Sequence, residues 1–209
     1  MLRRGRLALK TATWVACLAP LAVLLWRAAA QDLSANPISF VTNWLGDWTF
    51  RLLLASLAMT PLRIAFNISW PLALRRLLGL FACFYAALHL GVWLVLDHFF
   101  DWSEMATDIA KRPYITIGMT AFVLMTPLAA TSTRGAIRKM GGRNWQRLHR
   151  LAYAIGVCAA LHFFWLAKKA NPQPYYYAAV LALLLSVRGG DWIRRRLARV
   201  RAMAAPALH

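Results

Sequence analysis

Long stretches without a charged residue set the terms on which this chain can fold. Residues 77–96, 113–133 and 151–167 carry no Asp, Glu, Lys or Arg, and each run is close to the ~20 residues that carry an α-helix across the hydrocarbon core of a bilayer. Lipid offers no partner for backbone amides, so such runs must close their hydrogen bonds internally as helices. Sixty per cent of the 209 residues are hydrophobic and the mean hydropathy is +0.49, beyond the roughly 45–50% apolar content of soluble domains. The pattern predicts an all-α membrane protein: one transmembrane domain over residues 1–209, a six-transmembrane-helix bundle with spans at 9–28, 45–65, 76–97, 112–132, 149–168 and 174–190.

The net charge of +18 and a pI near 11.3 resemble the footprint of a nucleic-acid-binding domain, but the distribution excludes it. Basic residues gather in short clusters between apolar runs, where they orient helices and contact anionic lipid headgroups. With six spans, nineteen of the 25 Lys and Arg fall on the side of the two termini; Arg27, Arg51, Lys111, Arg112, Lys168 and Lys169 fall opposite. That asymmetry places both termini in the cytoplasm. Asp32, Asp47, Asp97, Asp101, Glu104 and Asp108 lie on the outer side, leaving only Asp191 inside. The first 30 residues have the basic start and apolar stretch of a signal peptide, but Arg27 interrupts the small-residue region before Ala28 to Ala30, so a retained first helix is expected. Cys17, Cys83 and Cys158 stand alone in apolar runs, in no metal, covalent-haem or disulfide spacing.

Pro61, Pro71, Pro113, Pro172 and Pro174 are expected at helix ends or kinks, and Pro20 and Pro127 at compensated kinks inside spans. Trp44, Trp48, Trp102, Trp145 and Tyr175 to Tyr177 suit an interfacial aromatic belt. The segment TSTRGAIRKMGGRNWQRLHR reads as a basic inner loop on anionic lipid, or as a phosphate-binding loop through the Gly141 and Gly142 amides.

A titratable group within a span is by default a functional-site hypothesis. His89 lies 13 residues from the inner boundary at Arg76, and His162 lies 13 residues beyond His149 at the inner end of the fifth span, so at ~1.5 Å of rise per residue both stand ~20 Å deep. Two imidazoles at one depth on facing helices can supply both axial ligands of a b-type haem, and Ala86, Ala87, Gly91 and Phe163 are small or aromatic enough to line a porphyrin slot. No third or fourth ligand at that depth favours a bare metal. His149 points about 140° away from His162 around the helix, and its depth counterpart on the third span is Arg75 or Arg76. It is a ligand to a second haem with another partner, a contact to flavin or quinone, or an interfacial histidine. His98, beside Asp97, and terminal His209 are expected to be solvated.

The runs RRLLGLFACFYAALHL, KRPYITIGMTAFVLMTPLAATS and NWQRLHRLAYAIGVCAALHFFWLAKK, with the TPLR segment, cover residues 46–169. This stretch resembles the MsrQ (YedZ) family, haem-binding membrane subunits of a periplasmic protein-methionine-sulfoxide reductase system within the ferric-reductase-like superfamily. The resemblance implies a multi-pass b-type cytochrome of the bacterial inner membrane, with haem histidines at His89, His149 and His162. It further implies electrons drawn from quinol or a cytoplasmic flavin reductase and passed to a periplasmic molybdopterin-containing subunit that repairs oxidised proteins, with FMN as an additional cofactor. The chain lacks the inner histidine on the third span with which larger relatives complete a second haem site. No GxGxxG segment or appended reductase domain marks a flavin site.

The expected function is therefore electron transfer through one haem b, with His149 leaving room for a second, and with substrate reduction in the partner. No nucleophile constellation or intramembrane carboxylate pair suggests catalysis in the chain itself. A standalone ferric or quinone reductase, and a non-haem proton-coupled carrier or scaffold, are the alternatives.

Overall fold

The computed structural model describes residues 3–166 and 171–204. Nearly all of them are helical: α1 (Arg3–Ala29), α2 (Pro37–Phe66), α3 (Leu72–Val92) running into a π-helical turn (Trp93–Asp97), α4 (Trp102–Lys111), α5 (Pro113–Ala130), α6 (Arg134–Met140), α7 (Gly142–Leu148), α8 (Leu151–Leu166) and α9 (Gln173–Ala204). Several boundaries have a local cause. The Asn36 side chain accepts from the Ser39 amide ahead of Pro37, Asp101 accepts from Ser103 and Glu104, and Thr133 accepts from Ala136, each satisfying amides that the first helical turn leaves open. Asn67 ends α2 in the left-handed region at φ 53°, and Gly141 separates α6 from α7 at φ 79°, a conformation that glycine adopts without strain.

Five segments are long and apolar enough to cross a membrane: Leu7–Ala29, Pro37–Phe66, Leu72–Asp97, Pro113–Ala130 and Gly142–Leu166. These correspond to the first five of the six expected spans; the sixth, 174–190, falls in α9, where three tyrosines and Arg188 dilute the apolar part and the remaining length is strongly basic. The expected basic loop after Thr133 is corrected: it folds into α6 and α7. Lys168, Lys169 and His209 lie outside the described residues.

The core centres on α2, which packs along α3 and touches α8 and α9, while α5 pairs with α8. Leu45, Phe50, Leu53 and Leu57 from α2 meet Leu78, Ala82 and Tyr85 from α3, with Ile155 from α8 and Leu181 from α9. Large apolar side chains such as Val15, Trp26, Val123 and Leu183 instead face outward, as expected for helices whose surroundings are hydrocarbon.

Pro20 sits inside α1, and a neighbour bridges the turn beside it. The Tyr85 hydroxyl donates to the Cys17 carbonyl at 2.8 Å and accepts from the Leu21 amide at 3.1 Å. It thus stands between two groups that would ordinarily close one helical turn. The Trp44 indole donates to the Pro20 carbonyl at 3.1 Å, so α2 and α3 both grip α1 where its ladder is interrupted. Pro61 and Pro127 likewise lie inside α2 and α5 rather than ending them.

The ends of α2 and α5 meet the starts of α3 and α8 in one half of the bundle, and the starts of α2 and α5 meet the end of α3 in the other, so the bundle has two chemically distinct ends. Arg63, Arg75, Arg76 and the α6–α7 arginines lie at the basic end; Asp32, Asp97, Asp101, Glu104 and Asp108 lie at the acidic end.

Candidate functional site

His89 on α3 and His162 on α8 turn toward each other in the half of the bundle nearer the acidic end. Their ring centroids are 6.2 Å apart and their planes stand at 84°. Each ring is held the same way. His89 Nδ1 lies 2.9 Å from the Thr42 carbonyl on α2, and His162 Nδ1 lies 2.6 Å from the Tyr114 carbonyl on α5. A carbonyl only accepts, so both rings carry their proton on Nδ1 and leave Nε2 as a lone-pair donor. This is the arrangement in which a backbone acceptor orients a metal-ligating imidazole and raises its basicity.

A glycine one helical turn beyond each accepting residue makes room for the ring. A methyl at Gly46 would lie 3.2 Å from His89 Cε1, and one at Gly118 would lie 2.8 Å from His162 Nδ1. The two seats, Thr42 with Gly46 and Tyr114 with Gly118, therefore repeat one device: an exposed carbonyl lone pair at position i and no side chain at i+4. Sequence reasoning missed all four residues. The available signal was two glycines inside apolar helices, where glycine is otherwise unfavourable.

The histidines open into a cavity of about 490 Å³ bounded by α2, α3, α5 and α8, within the ~300–1,000 Å³ range of cofactor pockets. Its deep wall is apolar, from Phe50, Leu53, Phe122, Met125 and Ile155, whereas Asn36, Ser39, Asn43, Asp97 and Arg112 line the other end. Of the residues expected to line a slot, Ala86 and Phe163 do so and Ala87 and Gly91 do not. Metal–imidazole bonds of about 2 Å on either side of one ion, plus ~1 Å from each nitrogen to its ring centre, separate two axial rings by ~6 Å, the spacing seen here. No cluster of three or more His, Cys, Asp or Glu suited to a bare metal ion occurs among the described residues. The donor set thus fits a cofactor that brings its own equatorial ligands.

His149 does not join this pair. It lies in a second cavity of about 440 Å³ at the basic end, with Arg63, Arg75, Arg76, Ser132 and Trp145. Its ring stacks on Trp145 at 3.9 Å, its Nδ1 lies 3.1 Å from the Trp145 carbonyl, and its Nε2 is buried with no hydrogen-bond partner among the described residues. No second histidine among the described residues lines this cavity, and Arg75 and Arg76 stand on α3 at the depth where one would sit. Leu53, Met125 and Ile155 line both cavities, so a single apolar layer separates them.

His98 corrects an expectation. Rather than solvated, its side chain is 5% exposed, with Nε2 at 3.2 Å from Asp108 and Nδ1 at 3.7 Å from Asp97. Its ring packs 4.5 Å from Trp93. His98 follows directly on the π-helical turn, and α4 covers it through Asp108.

A family model described as "Ferric reductase like transmembrane component" matches residues 45–160. A Rhodospirillum rubrum protein is 47% identical over 194 residues, covering 93% of this chain and 91% of the relative. A Herminiimonas arsenicoxydans protein is 46% identical, covering 86% and 84% respectively, and one from Bordetella pertussis is 48% identical, covering 90% and 92%. All three relatives carry the name "Protein-methionine-sulfoxide reductase heme-binding subunit MsrQ".

Proposed function

Because the chain belongs to the MsrQ family of ferric-reductase-like transmembrane proteins, we propose that it is the electron-transfer subunit of a protein-methionine-sulfoxide reductase, with His89 and His162 as the axial ligands of one haem b. The observation that carries this reading is the paired seating of the two rings, 6.2 Å apart with both Nδ1 atoms engaged by carbonyls. An iron porphyrin held there supplies reversible one-electron chemistry, with its potential set by two imidazoles and a low-dielectric slot. The chain's own contribution is fixed geometry. Thr42 and Tyr114 hold the tautomer and direction of each ring, Gly46 and Gly118 give them space, and Phe50, Leu53, Phe122 and Met125 keep water from the deep wall.

Electrons enter at the basic end from quinol or a cytoplasmic flavin reductase and leave at the acidic end toward a periplasmic molybdopterin-containing subunit, where the sulfoxide is reduced. The His149 cavity takes a second cofactor, a second haem or FMN. That assignment draws on the unpartnered Nε2, the three arginines and the single apolar layer shared with the first cavity.

In this reading α9 is the sixth span of a bacterial inner-membrane protein with both termini in the cytoplasm. Two tethers along its length support that placement. Tyr177 accepts from Arg51 at 2.8 Å near the acidic end, whereas Arg188 donates to Tyr153 and to the Leu57 carbonyl toward the basic end.

Reduced-minus-oxidised absorption spectra of the detergent-purified protein test the assignment. Soret and alpha bands are expected from the unaltered chain. His89→Ala and His162→Ala each lose the low-spin haem, whereas His149→Ala keeps part of the spectrum. No chromophore after haem-sufficient expression would leave a proton-coupled carrier as the better reading.

A further inference from the structure

The cavity between His89 and His162 is polarised along the bundle, and its polar end contains a held cation. Arg112 is the one Lys or Arg among the described residues that line it. It lies at the corner where α4 ends and α5 begins, two residues before Tyr114, whose carbonyl seats His162. The half-exposed side chain forms an ion pair through Nε with one Asp108 oxygen at 3.2 Å, and its Nη1 donates to the Tyr114 hydroxyl at 3.4 Å. The other Asp108 oxygen is engaged by buried His98 at 3.2 Å. His98 therefore fixes Asp108, and Asp108 fixes the guanidinium. A guanidinium has five N–H donors, so donors remain after these two contacts.

We propose that Arg112 is an anion-binding residue for the cofactor cavity, taking a carboxylate of the porphyrin and so setting which edge of the macrocycle faces the acidic end. This rests on the haem reading above. A haem b has two carboxylates on one edge and hydrocarbon substituents on the other, and the cavity repeats that division, with Asn36, Ser39, Asn43 and Arg112 opposite Leu53, Met125 and Ile155. Two carboxylates also line the cavity: Asp47 pairs with Arg51 at 3.4 Å, and the half-exposed Asp97 lies 3.7 Å from His98, beyond hydrogen-bond distance. Arg112 shares Asp108 with His98 and keeps a planar fork suited to a second carboxylate. His98 acts through Asp108 and is a positioning residue.

The test compares haem with its dimethyl ester, which has the same macrocycle and iron but no free carboxylate, by spectrophotometric titration into detergent-solubilised apoprotein. The unaltered chain is expected to bind haem about tenfold more tightly than the diester, the scale of one charge-assisted hydrogen bond. Arg112→Ala removes that preference while still giving a low-spin spectrum with the diester, and Arg112→Lys restores part of it. Should Arg112→Ala fail to fold, Arg112→Gln serves in its place. A preference unchanged in the Ala or Gln variant overturns the assignment and leaves Arg112 a partner of Asp108 or of lipid phosphate. Equal binding of both porphyrins by the unaltered chain also overturns it. Absence of low-spin binding by either porphyrin would defeat the haem reading itself.

Discussion

His89 and His162 each depend on one carbonyl and one missing side chain, so small substitutions at the glycines should read out directly in cofactor content. A methyl at Gly118 falls 2.8 Å from the His162 ring and one at Gly46 falls 3.2 Å from the His89 ring, which is overlap in the first case and tight contact in the second. Gly118→Ala is therefore expected to lower haem per polypeptide severalfold, and Gly46→Ala to lower it less, because overpacking costs about 1–3 kcal/mol where neighbours cannot yield. Pyridine haemochrome quantification against protein measures both; a Gly118→Ala chain with full haem and an unshifted Soret band would show that the ring tolerates displacement. The histidines themselves were legible in the sequence because hydrocarbon penalises an imidazole that has no ligand or polar partner, and equal offsets from two helix starts put them at one depth. Their seats were not legible. Thr42 and Tyr114 act through backbone oxygens, which carry no side-chain signature, and the partners come from helices 47 and 48 residues away. The burial of His98 was equally hidden, because its local neighbours are those of a solvated helix end, whereas its enclosure depends on α4 folding back over the π-helical turn.

At the scale of single elements, α1 shows what proline inside a membrane helix requires. The Tyr85 hydroxyl, on a side chain with no exposed surface, spans the interrupted turn between Cys17 and Leu21. Tyr85→Phe should cost about 1 kcal/mol, the ordinary net worth of such a hydrogen bond, seen as a lower unfolding midpoint of the purified protein with haem content unchanged. An unaltered midpoint would mean that Cys17 and Leu21 close the turn themselves. Three of the five strongly apolar segments could be read from charge-free length alone, whereas Pro37–Phe66 carries Asp47, Arg51 and Arg63 and stands out only by its overall apolar content. The short helices could not be read that way. α4 is short and half polar, and α6 and α7 fall in a run whose arginines look like a loop until Thr133 and Gly141 are recognised as a cap and a hinge. Their helicity follows from those two local signals rather than from hydrophobic periodicity.

Across the whole molecule, the two cavities are stacked along the bundle and share Leu53, Met125 and Ile155 as their common wall. α9 decides the topology. Five spans would put the two termini on opposite sides of the membrane, and a sixth returns the C-terminus to the side of the N-terminus. A reporter that fluoresces only in the cytoplasm should therefore be bright when fused at either terminus, and a periplasm-dependent phosphatase should be active when inserted in the exposed connection between α1 and α2. A dark C-terminal fusion beside a bright N-terminal one would reduce α9 to an interfacial helix. The central claim, that His89 and His162 grip one iron, is tested most directly by low-temperature electron paramagnetic resonance of the oxidised protein. Imidazole planes at 84° leave two iron d orbitals nearly degenerate, so the unaltered chain should give a strongly anisotropic low-spin signal dominated by one large g value, lost in both His89→Ala and His162→Ala. The same signal persisting in either variant would contradict the account.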